Sequence, residues 1–180
     1  MRGPPAFWVL LLLFAAPASA QETAVLFDAD GSEVVLRPAD GEVLLLHFWA
    51  TWCPTCGEDM AALERVAADC SASRVRVFAV NVGDSPEAIA EFVRHHELGL
   101  RILRDPRGRV WRRFDGRGVP MNLFWEAERV RTEVGPKNEP QWRRDLWALG
   151  CDERSNSLSD DPQGGAGRPP GEKSKNEAQP

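Results

Sequence analysis

The sequence predicts an α/β domain, a central sheet flanked by helices, and three observations carry that expectation. The run Val43 to Trp49 is apolar on both faces apart from His47, which places it in the middle of a sheet. It leads into Cys53-Pro54-Thr55-Cys56, after which apolar residues recur at helical spacing. A further strand, a helix, a hairpin and a last helix then follow, an order that builds a layered α/β fold.

Taken in order, Thr23 to Asp28 and Glu33 to Leu36 flank Asp30-Gly31 and read as an N-terminal β-hairpin closed by a type I′ turn. Met60, Leu63, Val66 and Ala67 repeat at helical spacing while Glu58, Asp59, Glu64 and Arg65 fall elsewhere. This predicts a helix from Pro54 to about Asp69, with Pro54 in the first turn, where a missing N–H costs nothing. Arg74 to Val82 reads as a strand ended by Gly83-Asp84. Ser85, Pro86 and Glu87 then open a helix as N-cap, first residue and first-turn acid, with Ile89, Phe92, Val93 and His96 as its stripe.

Leu100 to Leu103 is expected to form a short strand and Asp105 to Gly108 a turn, followed by a helical turn of Val110, Trp111 and Phe114 beneath the rim of the dithiol. Met121 to Trp125 and Val130 to Val134 read as an antiparallel pair. Pro140 opens a last helix with Trp142, Leu146 and Leu149 on one stripe.

The chain has 180 residues, with 22 basic against 27 acidic side chains and a formal net charge of −5, a balance that argues against nucleic acid or anionic membrane as a partner. Residues 1–20 have the parts of a secretory signal: Arg2, the apolar stretch Phe7 to Ala16, and Ala18-Ser19-Ala20 as cleavage site. The stretch is too short to span a bilayer, so no membrane insertion of the mature chain is expected. Residues 21–151 are expected to form one domain. In 152–180 Leu158 is the only large apolar residue, and that segment is expected to be a disordered tail. Export, whether periplasmic or secreted, allows disulfides to persist.

The dithiol has its own chemistry. Unpaired N–H groups at a helix N-terminus stabilise a thiolate at Cys53, and Cys56, one turn behind, is placed to attack a mixed disulfide. A zinc site would need two more ligands, and no second cysteine pair is present, so neither a metal nor a cofactor is expected.

The segment Phe48-Trp49-Ala50-Thr51-Trp52-Cys53-Pro54-Thr55-Cys56 resembles the active-site segment of exported thioredoxin-like proteins of the TlpA/ResA type. Gly118-Val119-Pro120 is similar to the segment that carries the family's cis-proline. The resemblance covers roughly residues 23 to 149. It implies a thioredoxin fold, with a mixed sheet and the hairpin as an N-terminal extension, and thiol–disulfide exchange in which Cys53 attacks and Cys56 resolves. Pro120 would lie against the dithiol, and the backbone of Val119 would pair with an extended partner segment near Trp52, Pro54 and Thr55. The implied partners are exported proteins with disulfides and a membrane-bound or soluble electron donor.

Two other branches of the family fit less well, since copper carriers place three residues between their cysteines and peroxiredoxins place threonine where Ala50 stands. His47 occupies a position held by a buried acid in thioredoxins and commonly by an amide in TlpA/ResA-like proteins. Either it sits beneath Cys56 and exchanges a proton with it, or it is a neutral histidine bonded to backbone. Asp59 matches an acidic position associated with tuning the thiols, although a carboxylate there also suits the start of any helix. In the implied fold the first and last helices share a face and a direction, which brings Cys70 and Cys151 together as a structural disulfide. The expected activity is reduction of disulfides in exported proteins, with apocytochrome c maturation as a narrower version and a redox-inert binding module as the alternative.

Overall fold

Every residue of the apolar run is buried, and it forms the strand around which the sheet is built. The computed structural model describes residues 22–70 and 73–151, so the expected signal and tail lie outside the described residues. The elements are β1 (Ala24–Phe27), β2 (Glu33–Leu36), β3 (Val43–Trp49), α1 (Cys56–Ala67), β4 (Val75–Val82), α2 (Pro86–His95), β5 (Ile102–Asp105), α3 (Arg109–Arg113), β6 (Met121–Glu126), β7 (Arg129–Val134) and α4 (Glu139–Ala148). A single 3₁₀ turn, Ala68–Cys70, extends α1.

The seven strands form one mixed sheet in the order β2-β1-β5-β4-β3-β6-β7. β3 pairs parallel with β4 and antiparallel with β6, and β4 pairs parallel with β5. Both crossovers, β3 to β4 through α1 and β4 to β5 through α2, step the same way across the sheet, so right-handed connections put both helices on one face. Strand alternation sorts the core accordingly. Val43 and Leu45 meet Ala62, Leu63 and Val66 of α1 and Trp142 and Leu146 of α4. Leu44, Leu46 and Phe48 point the other way, into a cluster with Ala24, Leu26, Val110 and Phe114.

Four local expectations need correction. The hairpin loop is five residues long, since Phe27 pairs with Glu33, and only Gly31 within it has a positive φ, +89°. A type I′ turn needs two such residues, and Asp30 instead uses its carboxylate to accept from the backbone N–H and hydroxyl of Ser32. Helix α1 starts at Cys56 with Thr55 as N-cap, so Pro54 precedes the helix. β5 begins at Ile102, and Asp105 ends this strand while capping α3, its two carboxylate oxygens accepting from the N–H groups of Arg109 and Trp111 at 2.8 and 2.9 Å. Finally, α3 packs on β1 and β5, on the sheet face opposite the dithiol cluster, and does not underlie the dithiol rim.

Helix α4 opens on a capping box in which Asn138 and Gln141 satisfy each other's backbone N–H groups, with Pro140 at the second helical position. The contacts Arg65 with Glu139, Asp69 with Arg143, and Cys70 with Cys151 advance together along both segments. α1 and α4 therefore run in the same direction. Among the described residues, no helix is long and apolar enough to cross a membrane.

Candidate active site

The turn from β3 into α1 holds Cys53 and Cys56 as a disulfide, S–S 2.16 Å. Cys56 is fully buried and Cys53 is 4% exposed, so Cys53 is the more exposed residue of the pair. The first N–H groups of α1 have no side-chain cap, which leaves the positive end of the helix to the dithiol. The peptide bond Val119–Pro120 is cis, Val119 packs on the cluster formed by Trp49, Cys53, Cys56 and Met60, and Pro120 is buried. Trp52 is 71% exposed beside the pair, and Pro54 and Thr55 are exposed too, whereas Trp49 is wholly core.

His47 is not bonded to backbone, as one of the two sequence readings expected. Its ring points with Leu45 and Trp49 toward the helix layer, and its hydrogen-bond partner is a side chain from the neighbouring strand: Nδ1 lies 2.7 Å from Asn122 Oδ1. A carbonyl oxygen can only accept, so Nδ1 carries the hydrogen and Nε2 keeps a lone pair. That lone pair faces Asp59 Oδ2 at 4.0 Å, and neither atom has another hydrogen-bond partner. Trp142 Nε1 donates to Asp59 Oδ1 at 2.7 Å, which fixes which oxygen turns toward the histidine. Asp59 is thus a buried residue, 2% exposed, and not a solvated first-turn acid.

Burial governs the protonation of this pair. It pushes the Asp59 carboxyl above the usual carboxylate range, opposed by His47 and by the Trp142 bond. It likewise pulls His47 below the ordinary imidazole value, opposed by Asp59 and Asn122. Burial thus disfavours charge on both members of the pair, and each partly restores it to the other. For Asp59, whose folded pKa is raised, the stabilising contribution is complete below about 3.9 and is lost as pH rises through the folded value. For His47, whose folded pKa is depressed, it is complete above about 6.5 and is lost as pH falls toward the folded value.

Asp59→Asn keeps the acceptor for Trp142 and offers an N–H to His47 Nε2. It is therefore expected to match the parent near pH 4 and to exceed it by about 1–3 kcal/mol at pH 8. Urea unfolding at the two pH values checks this; a difference that does not change with pH contradicts it.

Sequence reasoning did not find Asn122 or Trp142, nor the clamp on the other side of the dithiol loop. There the N–H of Thr51 donates to Asp84 Oδ2 at 2.7 Å, and Asn81 Nδ2 donates to the same oxygen at 2.8 Å. A signal existed for the two amides: Asn81 and Asn122 each stand between apolar neighbours inside a strand. His96, read as part of the stripe of α2, has its ring against Gly57, where even a Cβ would come within 2.4 Å.

Away from the dithiol, Cys70 and Cys151 are joined, S–S 2.23 Å, inside the core between α1 and α4. Ser73 Oγ lies 3.3 Å from Cys151 Sγ.

Comparison with known proteins places this arrangement. Residues 15–133 match the AhpC/TSA family. The chain belongs to that family. Within it, the chain is 29% identical over 127 residues to the thiol-disulfide oxidoreductase ResA of Halalkalibacterium halodurans, covering 68% of this chain and 72% of that one. It is 31% identical over 109 residues to the thiol:disulfide interchange protein DsbE of Allochromatium vinosum, covering 59% of each. Among solved structures it resembles MTB dsbF with a TM-score of 0.63 at 27% identity, covering 70% of this chain and 94% of that one. StoA from Bacillus subtilis, at 19% identity and a TM-score of 0.59 over 69% of this chain and 96% of that one, shows the shared thioredoxin fold. Within the AhpC/TSA family the chain is a thioredoxin-like oxidoreductase that carries its cysteine pair at the start of α1.

Proposed function

We propose that this chain is an exported thiol–disulfide oxidoreductase that reduces disulfides in other exported proteins. The observation that carries the reading is that Val119 of the cis Val119–Pro120 bond packs on the cluster holding Cys53, the more exposed cysteine, next in sequence to the exposed ring of Trp52. An extended partner segment pairs with the backbone of Val119 and lies along Trp52, Pro54 and Thr55. The Cys53 thiolate attacks one sulfur of the partner's disulfide, forming a mixed disulfide and expelling the other sulfur as a thiolate, which takes up a proton. Cys56 gives up its proton, attacks Cys53 Sγ and releases the second partner thiol, so two electrons leave the dithiol as Cys53–Cys56 closes.

Asp59 stands three residues after Cys56 on α1, and with His47 it forms the buried proton carrier for that second step. ResA and DsbE, by name a thiol-disulfide oxidoreductase and a thiol:disulfide interchange protein, support the class of reaction. Export rests on the signal features of residues 1–20, and reduction of the resting protein calls for an electron donor in the same compartment. Equilibration of the purified chain in glutathione buffers, read by thiol trapping and mass spectrometry, tests the direction. A potential near −270 mV is the expected result, and one near −120 mV would make the protein an oxidant.

A further inference from the structure

The clamp on the dithiol loop carries an inference that rests on the reductase reading and deepens it. Asn81 is the buried amide of β4, 1% exposed and paired in register with Trp49, the last residue of β3. Its Oδ1 accepts from the N–H of Asp84 at 3.1 Å while its Nδ2 donates to Asp84 Oδ2, a two-point grip. Gly83, with φ +86°, lets the chain turn back for it. The gripped oxygen takes the Thr51 N–H at 2.7 Å, a charge-assisted bond. Thr51 is two residues from Cys53, whose own N–H bonds to Ala50 O at 3.2 Å to close the loop.

We propose that Asp84, held by Asn81, is a positioning residue of the dithiol loop whose negative charge makes Cys53–Cys56 more reducing. The helix N-terminus stabilises the Cys53 thiolate and thereby favours the reduced form. A carboxylate fixed on the adjoining turn opposes it and favours the disulfide, so electrons leave more readily. The other ionisable side chains around the loop are Glu58 and Asp59 on α1, Glu91 and His95 of α2 in the cleft beside Thr51, and His96 against Gly57. None of these has a hydrogen bond to a loop N–H, which sets Asp84 apart.

The test compares full chains in glutathione buffers, where two glutathione thiols become one glutathione disulfide as Cys53–Cys56 gains two electrons and two protons. Asp84→Asn keeps an acceptor for Thr51 and Asn81 and removes the charge. It is expected to shift the equilibrium toward the reduced dithiol by about three- to tenfold and to lower the pH midpoint of Cys53 alkylation. Asp84→Glu keeps the charge and is expected to stay within about twofold of the parent, a smaller step than the loss of a nearby unit charge. Asp84→Ser is the second neutral variant should Asp84→Asn fail to fold. An unchanged equilibrium in the neutral variants overturns the proposal, and so does an equal shift in Asp84→Glu, which would assign the effect to loop shape. The parent's own potential tests the reductase reading separately, because the proposal is read only from the ratio of variant to parent.

Discussion

Serine at position 56 is expected to leave a protein that attacks once and stays bound to its partner. Cys53 remains able to open a partner disulfide, but the hydroxyl of serine cannot displace a sulfur from it, and the mixed disulfide persists. In the parent, resolution is intramolecular. Cys56 sits behind Cys53 with Cα atoms 5.5 Å apart, and well-oriented groups of this kind gain effective molarities of order 10⁵ M or more over a free thiol. Turnover of Cys56→Ser with a disulfide-bonded protein substrate should therefore fall by about a thousandfold or more at millimolar external thiol. Cys53→Ser should be equally inactive while trapping nothing, because Cys56 is fully buried and no partner sulfur can reach it. Mass spectrometry of the covalent adducts separates the two variants. A Cys56→Ser protein that turns over within tenfold of the parent would mean that Cys56 does not resolve.

The second large effect concerns stability. Cys70 and Cys151 are 81 residues apart in sequence, and a link of that length removes much of the freedom of the unfolded chain, worth ~4 kcal/mol in the chain-entropy treatment. Set against a typical net stability of about 5–15 kcal/mol, that is a large fraction. The double variant Cys70→Ala, Cys151→Ala is expected to unfold roughly 10–20 °C lower than the parent by calorimetry. Cys53–Cys56 should keep its glutathione equilibrium within about twofold, since the link lies at the far ends of α1 and α4. A fall of under about 3 °C would mean that packing between the helices carries the joint without the covalent link.

How much of this was legible in the sequence depends on how local each feature is. β3 could be read because its signal lies within seven residues, each apolar except His47. The N-cap of α2 could be read because Ser85 accepts from Ala88 only three residues on. The buried polar cluster could not, since His47 meets Asn122 across 75 residues and Asp59 meets Trp142 across 83. Nothing in the strand pattern of β6 states that Asn122 will stand opposite His47; the antiparallel register with β3 sets that. Asp59 looked like a solvated helix-start acid because such acids are common there, and only α4 lying over it takes it out of water. The end of β5 was misplaced for a related reason. Asp105 is a turn former by type, and its work as a strand-end cap for α3 depends on three-dimensional context.

The two disulfides sit on one helix, and their spacing insulates them from each other. Cys56 begins α1 and Cys70 ends its 3₁₀ extension, fourteen residues later, roughly 20 Å away along the axis at ~1.5 Å per residue. Thiolate attack needs near contact with a sulfur, and the Cys70–Cys151 bond is 3% and 0% exposed at its two residues. A thiolate at Cys53 or Cys56 therefore has no path to it while the fold is intact. Scrambling is prevented by the length of α1, and the dithiol can pass through many catalytic cycles beside a second disulfide that never enters the exchange.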